Sequence, residues 1–319
     1  MIVAVLCGAT AIGKSALALR LARANGFEIL SADSRQIYRG LEVGTGAPTA
    51  AERAAVPHHL IGFAEPDLSF SPRAYPPLVH ALLEAKPDAR FLLVGGTGLY
   101  LKELIFPSPI DRGPTPDAIK EEVQERLRMK GSALLHAELA EADPEAAASV
   151  HPNDAYRIAK RWENLLLMGE SYTALTGPVE RDPRFAEVPI LWVDAEREAL
   201  YARIDARVEA MVKGGWAEEA RRLAADPGWK ESPAASSLGY LEMTEVAEGR
   251  LDPASAITAI QKRTRNYAKR QVTFFRRQLP GAIRWDSAAL AAECEACGWD
   301  WGRLSKRLDN PGNGGNSGL

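Results

Sequence analysis

The chain has 319 residues, 46% of them hydrophobic and 25% charged, with a formal net charge of −3. This is typical of a soluble globular protein with a large core in two lobes, and any basic surface must be local. No apolar run approaches the roughly 20 residues of a membrane span, and no leader peptide is evident. With only three cysteines, the chain is expected to be cytoplasmic and to lack a disulfide framework. It is also expected to be a monomer.

The first hundred residues alternate between apolar strands and helices. Helices are predicted at Lys14–Ala24 and after Ser71, with Ser71 as the N-cap and Pro72 as the first helical residue. Buried strands separated by helices of 10–15 residues are typical of a parallel sheet covered on both faces. The strands predicted in this part are Ile2–Cys7, Phe27–Ser31, His59–Phe63 and Phe91–Val94.

The turn after the first strand matches the phosphate-binding pattern G-x-x-x-x-G-K-[ST] in full. Its glycines allow backbone N–H groups to point at a phosphate from a helix N-terminus. Lys14 adds a positive charge, and the Ser15 hydroxyl is a predicted Mg²⁺ ligand. The pattern therefore predicts a phosphate site but does not specify the reaction. Its residues are Gly8, Ala9, Thr10, Ala11, Ile12, Gly13, Lys14 and Ser15.

Two polar segments follow predicted strands and should meet the phosphate loop, because parallel sheets bind ligands at the carboxyl ends of their strands. Asp33-Ser34-Arg35-Gln36 places an acid, a hydroxyl, a guanidinium and an amide in four residues. Gly95-Gly96-Thr97-Gly98 allows close approach of a ligand and offers one hydroxyl, although simple helix entry explains it equally well.

From residue 113 to 186 the pattern changes to a charged helical block between two Pro-rich stretches, which predicts a helical insertion lobe. The flanking segments, 1–112 and 187–290, form the predicted α/β core. In it, Pro189–Val193 resumes the sheet and helices follow from about Arg197. The Gly- and Asn-rich tail, 308–319, is predicted to be disordered.

The segment Gln261–Gln278 contains seven Lys or Arg residues, no acidic residue and three aromatic residues. Basic stretches usually form solvated helix faces, but the absence of acids in a mildly acidic chain favours a local polyanion site. Arg157 and Arg161, in a second basic cluster, would share one helix face. Cys294 and Cys297 form an isolated C-x-x-C, and because zinc needs about four ligands, ordinary helix positions are favoured.

Taken together and in order, nine segments between about residues 2 and 286 resemble the tRNA dimethylallyltransferase family, also called tRNA isopentenyltransferase. No zinc-finger sequence follows them, so a bacterial type is expected. The segments are GATAIGKS, SADSRQIYRGLEVGTGAP, PHHLIGF, FSPRAY, LLVGGTGLYLKEL, HPNDAYRIAKRWE, GGWAEEARRL, SSLGY and TRNYAKRQVTFFRR.

The resemblance implies a P-loop NTPase-like parallel sheet with a helical lobe that contacts tRNA. It also implies transfer of the dimethylallyl group of dimethylallyl diphosphate to N6 of the adenine 3′-adjacent to the anticodon, with diphosphate released and Mg²⁺ as cofactor. The partners implied are the anticodon stem-loop of tRNA and the prenyl donor. In this family the phosphate loop holds the diphosphate rather than ATP.

Site residues follow from the same resemblance. Asp33 matches the general base on the adenine amine, Thr97 a hydroxyl near the reacting centre, and Arg221 an arginine that binds diphosphate, with Arg222 as the alternative alignment. The positions that match tRNA contacts are Asp33, Ser34, Arg35, Gln36, Tyr156, Arg157, Ile158, Ala159, Lys160, Ser236, Ser237, Leu238, Gly239, Tyr240, Leu241, Lys269, Arg270, Gln271, Val272, Thr273, Phe274, Phe275 and Arg276.

Two other functions fit parts of the pattern. A small-molecule P-loop kinase would bind ATP in the same loop, with the helical lobe as its lid, but has no need of a long basic–aromatic segment. A non-catalytic RNA-binding protein with a nucleotide switch has no need of Asp33 and Thr97 at predicted strand ends.

Overall fold

A computed structural model describes residues 1–108, 113, 115–169 and 179–308. The chain divides into two compact units. Unit 1 comprises Met1–Ile105 and Pro183–Leu319, and unit 2 comprises Phe106–Asp182. Unit 2 is the segment in which the sequence predicts a helical lobe, there placed at 113–186.

Unit 1 is built on a six-stranded parallel sheet in the order β3-β2-β4-β1-β5-β6. The central strands are runs of Val, Ile and Leu that are buried along their whole length, as expected for a parallel sheet with helices on both faces. The strands are β1 Ile2–Gly8, β2 Glu28–Ser31, β3 His58–His59, β4 Phe91–Gly95, β5 Ile190–Asp194 and β6 Ala282–Asp286.

The two edges of the sheet depart from the prediction. The strand expected at His59–Phe63 is wrong, because only His58–His59 pairs with β2 and the chain turns away at Leu60, whose φ is 61°. A strand, β6, lies where helix was predicted. Only Trp285 of β6 is buried, so this edge strand lacks the apolar run that marks the central ones.

Helices connect and cover the strands of unit 1. Those before the insertion are α1 Lys14–Asn25, α2 Glu42–Thr45, α3 Ala50–Ala55, α4 Tyr75–Ala85 and α5 Gly98–Ile105. A 3₁₀ turn at Pro72–Ala74 leads into α4, and the predicted side-chain cap of Ser71 is not formed. Those after it are α9 Arg197–Lys213, α10 Trp216–Ala224, α11 Tyr240–Ala247, α12 Pro253–Gln278, α13 Ser287–Ala296 and α14 Trp301–Leu308. Among the described residues, none of the helices has both the length and the apolar character needed to cross a bilayer.

A large hydrophobic cluster of unit 1 lies between the sheet and α1, α9, α13 and α14. Cys294 and Cys297 are buried in this apolar cluster as free thiols. Both therefore pack as core residues at and just after the end of α13. Leu308, the last described residue, is buried at the end of α14, and the rest of the predicted disordered tail lies outside the described residues.

The described residues of unit 2 form α6 Asp117–Ala142, α7 Pro144–Ala148 and α8 Ala155–Met168. Gly131, at φ 74°, breaks the helical geometry inside α6. The unit has its own core, in which Leu135, Leu139, Ile158 and Trp162 meet. Asp154 begins α8 by accepting a hydrogen bond from the Arg157 N–H through its carboxylate.

Candidate active site

The phosphate loop connects β1 to α1 and turns through three residues of positive φ: Gly8, Ala11 and Gly13. A Cβ atom on Gly8 would lie 2.3 Å from the carbonyl oxygen of Val193 on β5, so only glycine fits against the neighbouring strand. Gly13, at φ 102°, begins α1 without a side-chain cap. The N-terminus of α1 therefore has unsatisfied N–H groups and is suited to bind an anion.

Lys14 is the buried cation of this loop. Its Nζ donates a hydrogen bond to the carbonyl oxygen of Ala9 at 2.7 Å. Burial lowers the pKa of Lys14 to about 8, and the charge of Arg207 adds to this, while the charge of Asp33 opposes it. A dianionic ligand beside Lys14 would favour its protonated form.

Ser15 lies next to Lys14 with its side chain exposed and lines the same cavity. Mg²⁺ in phosphate-transfer sites is commonly held by one or two protein oxygens together with substrate phosphate and water. The hydroxyl of Ser15 beside a phosphate loop fits such a partial ligand set. Among the described residues, no group of three or more His, Cys, Asp or Glu side chains forms a self-sufficient metal site.

Asp33 lies at the carboxyl end of β2 and lines the cavity. Its Oδ1 accepts hydrogen bonds from the backbone N–H of Arg35 at 2.8 Å and of Gln36 at 3.3 Å. This Asx turn fixes the carboxylate. Among the described residues, none donates a hydrogen bond to its Oδ2. This oxygen is therefore available to accept a proton from a substrate in the cavity.

Thr97, at the carboxyl end of β4, supports the Asp33 turn rather than lining the cavity. Its Oγ1 accepts a hydrogen bond from the Ser34 N–H at 2.9 Å and donates one to the Ser34 Oγ at 3.2 Å. Tyr267 of α12 lies near the Thr97 side chain. Burial, with the nearby charge of Asp33, raises the pKa of Tyr267 to about 12, so its hydroxyl is neutral at physiological pH.

Two arginines in the described part of the chain line the cavity, Arg35 and Arg207 of α9, and sequence reasoning missed Arg207. Its Nη2 donates a hydrogen bond to the carbonyl oxygen of Thr45 at 3.2 Å. Burial lowers its pKa, while the charge of Asp33 raises it. One turn earlier, the Nη1 of Arg203 donates a hydrogen bond to the carbonyl oxygen of Ile12 at 3.4 Å.

Arg221, the predicted diphosphate ligand, is exposed on α10 and does not line the cavity. Arg222, the alternative alignment, is also exposed and lines a separate pocket near Asp226. The buried residues of α10 are Trp216, Glu219 and Ala220, so this helix turns both arginines toward solvent. The sequence does contain a signal for Arg207. Arg203 and Arg207 are four residues apart, which places them on one face of the helix after β5.

Glu219 of α10 holds α2 against α10. Its carboxylate accepts hydrogen bonds from the backbone N–H groups of Val43 and Gly44 and from the hydroxyl of Tyr240, the last at 2.7 Å. Tyr240 is fully buried, so it supports the fold and cannot make the tRNA contact predicted for it. Beside it, Trp216 and Ser237 line the cavity with polar atoms that have no hydrogen-bond partner among the described residues.

Gln271 of α12 is likewise buried although a tRNA contact is predicted for it. Its Oε1 accepts a hydrogen bond from the Thr10 N–H at 2.9 Å, and its Nε2 donates one to the carbonyl oxygen of Gly96 at 2.8 Å. The side chain thus joins the phosphate loop to the loop after β4.

The other predicted tRNA-contacting residues divide by exposure. Helical segments expose only one face, so contiguous ranges necessarily include core positions. Ile158 and Ala159 are buried in the core of unit 2, and Phe275 in unit 1, which excludes these side chains from a macromolecular interface. Exposed residues of the predicted segments are Tyr156, Arg157, Ser236, Leu241, Lys269, Arg270, Thr273 and Arg276, while Ser34, Arg35, Gln36, Lys160, Leu238, Val272 and Phe274 are half-buried. Gly239 adopts φ 92° at the start of α11.

Arg35 connects the Asp33 turn to another predicted tRNA segment. Its Nη1 donates hydrogen bonds to the Ser236 Oγ at 3.0 Å and to the carbonyl oxygen of Pro233 at 3.3 Å. Gln36 donates through Nε2 to the carbonyl oxygen of Gly46 at 3.2 Å. Both side chains therefore hold loops together around the cavity.

These elements surround one open cavity in unit 1. Its polar lining includes Lys14, Asp33 and Arg207 together with residues of the phosphate loop. Its apolar lining includes Leu19, Ile29, Ile61, Ile204, Val208 and Met211. Such a site suits a ligand with a phosphate chain and a small apolar group.

Comparison with known proteins identifies the family of this chain. The profile of the family described as IPP transferase matches residues 36–278, and that of isopentenyl transferase matches residues 1–60. A tRNA dimethylallyltransferase of Anaeromyxobacter sp. (strain Fw109-5) is 42% identical over 309 residues, covering 96% of this chain and 98% of the relative. That of Roseiflexus sp. (strain RS-1) is 41% identical over 285 residues, covering 87% and 90%.

Solved structures give the same result. The tRNA isopentenylpyrophosphate transferase of Bacillus halodurans matches with a TM-score of 0.64 at 30% identity, covering 97% of this chain and 98% of that one. A eukaryotic dimethylallyltransferase acting on tRNA matches with a TM-score of 0.79, covering 99% and 81%. At 22% identity this second likeness concerns the fold alone.

Proposed function

Because the chain belongs to the IPP transferase family, whose curated relatives are named tRNA dimethylallyltransferases, we propose that it prenylates tRNA. The donor is dimethylallyl diphosphate, and the acceptor is N6 of the adenine 3′-adjacent to the anticodon. The observation that carries the proposal is one cavity in which the phosphate loop, Arg207 and Asp33 meet.

Lys14, Arg207 and the N-terminus of α1 bind the diphosphate in this proposal. As the bond between the allylic carbon and the diphosphate oxygen breaks, negative charge builds on the leaving group. Fixed positive charges and N–H dipoles stabilise that charge without reorganisation. Mg²⁺, held by Ser15 and the diphosphate, would supply further neutralisation of the same charge.

Asp33 acts as general base in the proposal. The exocyclic amine of adenine is a poor nucleophile, because its lone pair is delocalised into the ring. The Asp33 carboxylate accepts the amine proton as the C–N bond forms, which is worth roughly 10²–10⁴ in rate. The Asx turn, supported by Thr97, keeps the Asp33 Oδ1 in hydrogen bonds with backbone N–H groups. The Oδ2 of Asp33 is left to accept the amine proton.

The adenine must leave the stacked anticodon loop to reach Asp33, as in other enzymes that modify bases. Exposed cations on α12, including Lys269 and Arg270, are suited to track the RNA phosphates. Arg157, exposed on α8 of unit 2, offers a further cation for the same role.

The deciding experiment incubates the protein and Mg²⁺ with unmodified tRNA and either dimethylallyl diphosphate or ATP, followed by digestion and mass analysis of the nucleosides. We expect dimethylallyl-adenosine with the first donor only, at the position next to the anticodon. A second tRNA with guanosine at that position is the matched control and should remain unmodified. Phosphate transfer from ATP to a small acceptor, without prenylation, would indicate a P-loop kinase instead.

A further inference from the structure

Gln271 is a buried amide on a helix whose neighbouring residues face solvent. Lys269 and Arg270 are exposed, whereas Gln271 is 6% exposed and points at the loops of the sheet edge. Tyr267, one turn earlier on the same face, reaches Thr97. One face of α12 therefore supports the active-site loops, and the adjacent face presents cations.

The two hydrogen bonds of Gln271 need both ends of an amide. Oε1 accepts from the Thr10 N–H inside the phosphate loop, and Nε2 donates to the carbonyl oxygen of Gly96. A Cβ on residue 96 would lie 2.5 Å from Nε2, so glycine is needed for this approach. A carboxylate retains only the accepting end, and an alkyl side chain retains neither.

The hydrogen bond between Gln271 and Thr10 also determines which N–H groups of the phosphate loop can bind the diphosphate. The Thr10 N–H is engaged by Gln271 and is not available to the diphosphate, which leaves the later N–H groups of the loop to bind it. Thr10 lies between Gly8 and Ala11, two residues of positive φ. A loop with such backbone geometry is held in one conformation only when its surroundings fix it.

We propose that Gln271 is a positioning residue of the diphosphate site, which acts by fixing the phosphate loop against the loop after β4, and that it is not a tRNA contact. The inference rests on the proposed function for the identity of the ligand. It assigns α12 a role in donor binding that is separate from the role of its exposed cations.

The test compares Gln271→Leu with Gln261→Leu. Gln261 also lies on α12 and also donates through Nε2 to a backbone carbonyl, that of Asp205, so it controls for losing a bridging glutamine. Calorimetric titration with inorganic diphosphate and Mg²⁺ should show roughly tenfold weaker binding for Gln271→Leu, as expected for loss of about 1.4 kcal/mol. The Kd for tRNA should change less than about twofold, and Gln261→Leu should match the wild type in both.

Gln271→Glu separates hydrogen bonding from packing. It keeps the size of the side chain and the acceptor for Thr10 but loses the donor to Gly96 and adds a negative charge. We expect it to weaken diphosphate binding at least as much as Gln271→Leu, because the added charge also repels the ligand, and to lower the unfolding temperature, because a buried carboxylate oxygen would face the Gly96 carbonyl. It also serves as the test if Gln271→Leu does not fold.

The outcomes distinguish this inference from the proposed function. A weakened tRNA Kd with unchanged diphosphate affinity would make Gln271 an RNA contact and overturn the positioning role. Unchanged diphosphate affinity in both variants would also overturn it, even if the wild type prenylates tRNA. If the wild type forms no prenylated nucleoside, the proposed function fails, while the diphosphate titration still decides the role of Gln271.

Discussion

Lys14, Asp33 and Arg207 form a mutually dependent set of charges at the carboxyl edge of the sheet. Burial lowers the pKa of both Lys14 and Arg207, and the charge of Asp33 raises each of them. The carboxylate thus helps keep two partly desolvated cations charged before any ligand arrives. Removing it affects proton transfer and the electrostatics of the phosphate site at the same time.

Asp33→Asn removes the charge and basicity of Asp33 while keeping its turn. An asparagine Oδ1 can still accept from the N–H groups of Arg35 and Gln36, so the turn should persist. We expect single-turnover prenylation to fall about 10²–10⁴-fold, because an amide does not accept the proton. Rapid-quench measurement at saturating donor and tRNA checks this. Full activity would exclude Asp33 as base, and an unchanged tRNA Kd is the control for binding.

Arg207 and Arg221 give opposite expectations. Arg207→Ala should raise the KM for dimethylallyl diphosphate by about 10- to 100-fold, the range for loss of a charged hydrogen bond. Arg221→Ala should remain within about twofold of the wild type, because its side chain is exposed and outside the cavity. Steady-state kinetics with saturating tRNA measures both. The reverse pattern would restore Arg221 as the diphosphate ligand.

At the scale of elements, α12 presents exposed cations beside the cavity. Replacing Lys269 and Arg270 together by alanine should weaken tRNA binding and flatten its salt dependence. The slope of log K against log salt should decrease by about 0.7–0.9 for each RNA phosphate that the variant no longer neutralises. Filter binding at several salt concentrations measures it. The same double change at Arg303 and Lys306 on α14, also exposed, is the matched control and should leave the slope unchanged.

The edge of the sheet at β3 is held by a small ionic network. Glu28 bonds to Lys86 Nζ at 2.8 Å and to His59 Nε2 at 2.5 Å. Although burial raises the pKa of Glu28, these hydrogen bonds together lower it by more, so its net pKa lies below the ordinary 4.5. The carboxylate therefore stabilises the fold above pH 4.5, and that contribution is lost as pH falls through the lowered pKa.

Glu28→Gln should thus unfold with a flatter pH dependence than the wild type. Denaturant unfolding between pH 3 and pH 6 measures the free energy of unfolding of both. We expect the wild-type advantage to shrink steadily on acidification, because the unfolded state binds more protons in this interval. Parallel curves for the two proteins would show that the network contributes nothing to stability.

Over the whole molecule, the sequence predicted the parts that depend on strong local patterns. Apolar runs identify β1, β4 and β5, since buried parallel strands need continuous Val, Ile and Leu. The phosphate loop is encoded by glycine positions and one lysine, and its neighbours follow from the rule that ligands bind at strand carboxyl ends. Edge strands β3 and β6 carry little of this signal and were misread.

What the sequence did not predict depends on tertiary packing. Whether Arg207 or Arg221 reaches the cavity depends on which face of its helix is buried. Because both helices carry charged residues on more than one face, the sequence does not indicate the buried face. Tyr240 and Gln271 lie in segments that resemble tRNA contacts, yet both are buried and bond to other elements. A motif match identifies the segment, and the fold decides which of its side chains face solvent.

The indole of Trp216 lies against two glycines from distant parts of the chain. A Cβ on Gly44 would lie 2.0 Å from its Nε1, and one on Gly239 would lie 2.3 Å from its Cη2. The side-chain volumes at these three positions, which are far apart in sequence, therefore constrain one another. During divergence none of them is free to change first, because the intermediate with a methyl group added carries a steric clash. Where relatives differ at one of these positions, we expect them to carry compensating differences at the other two.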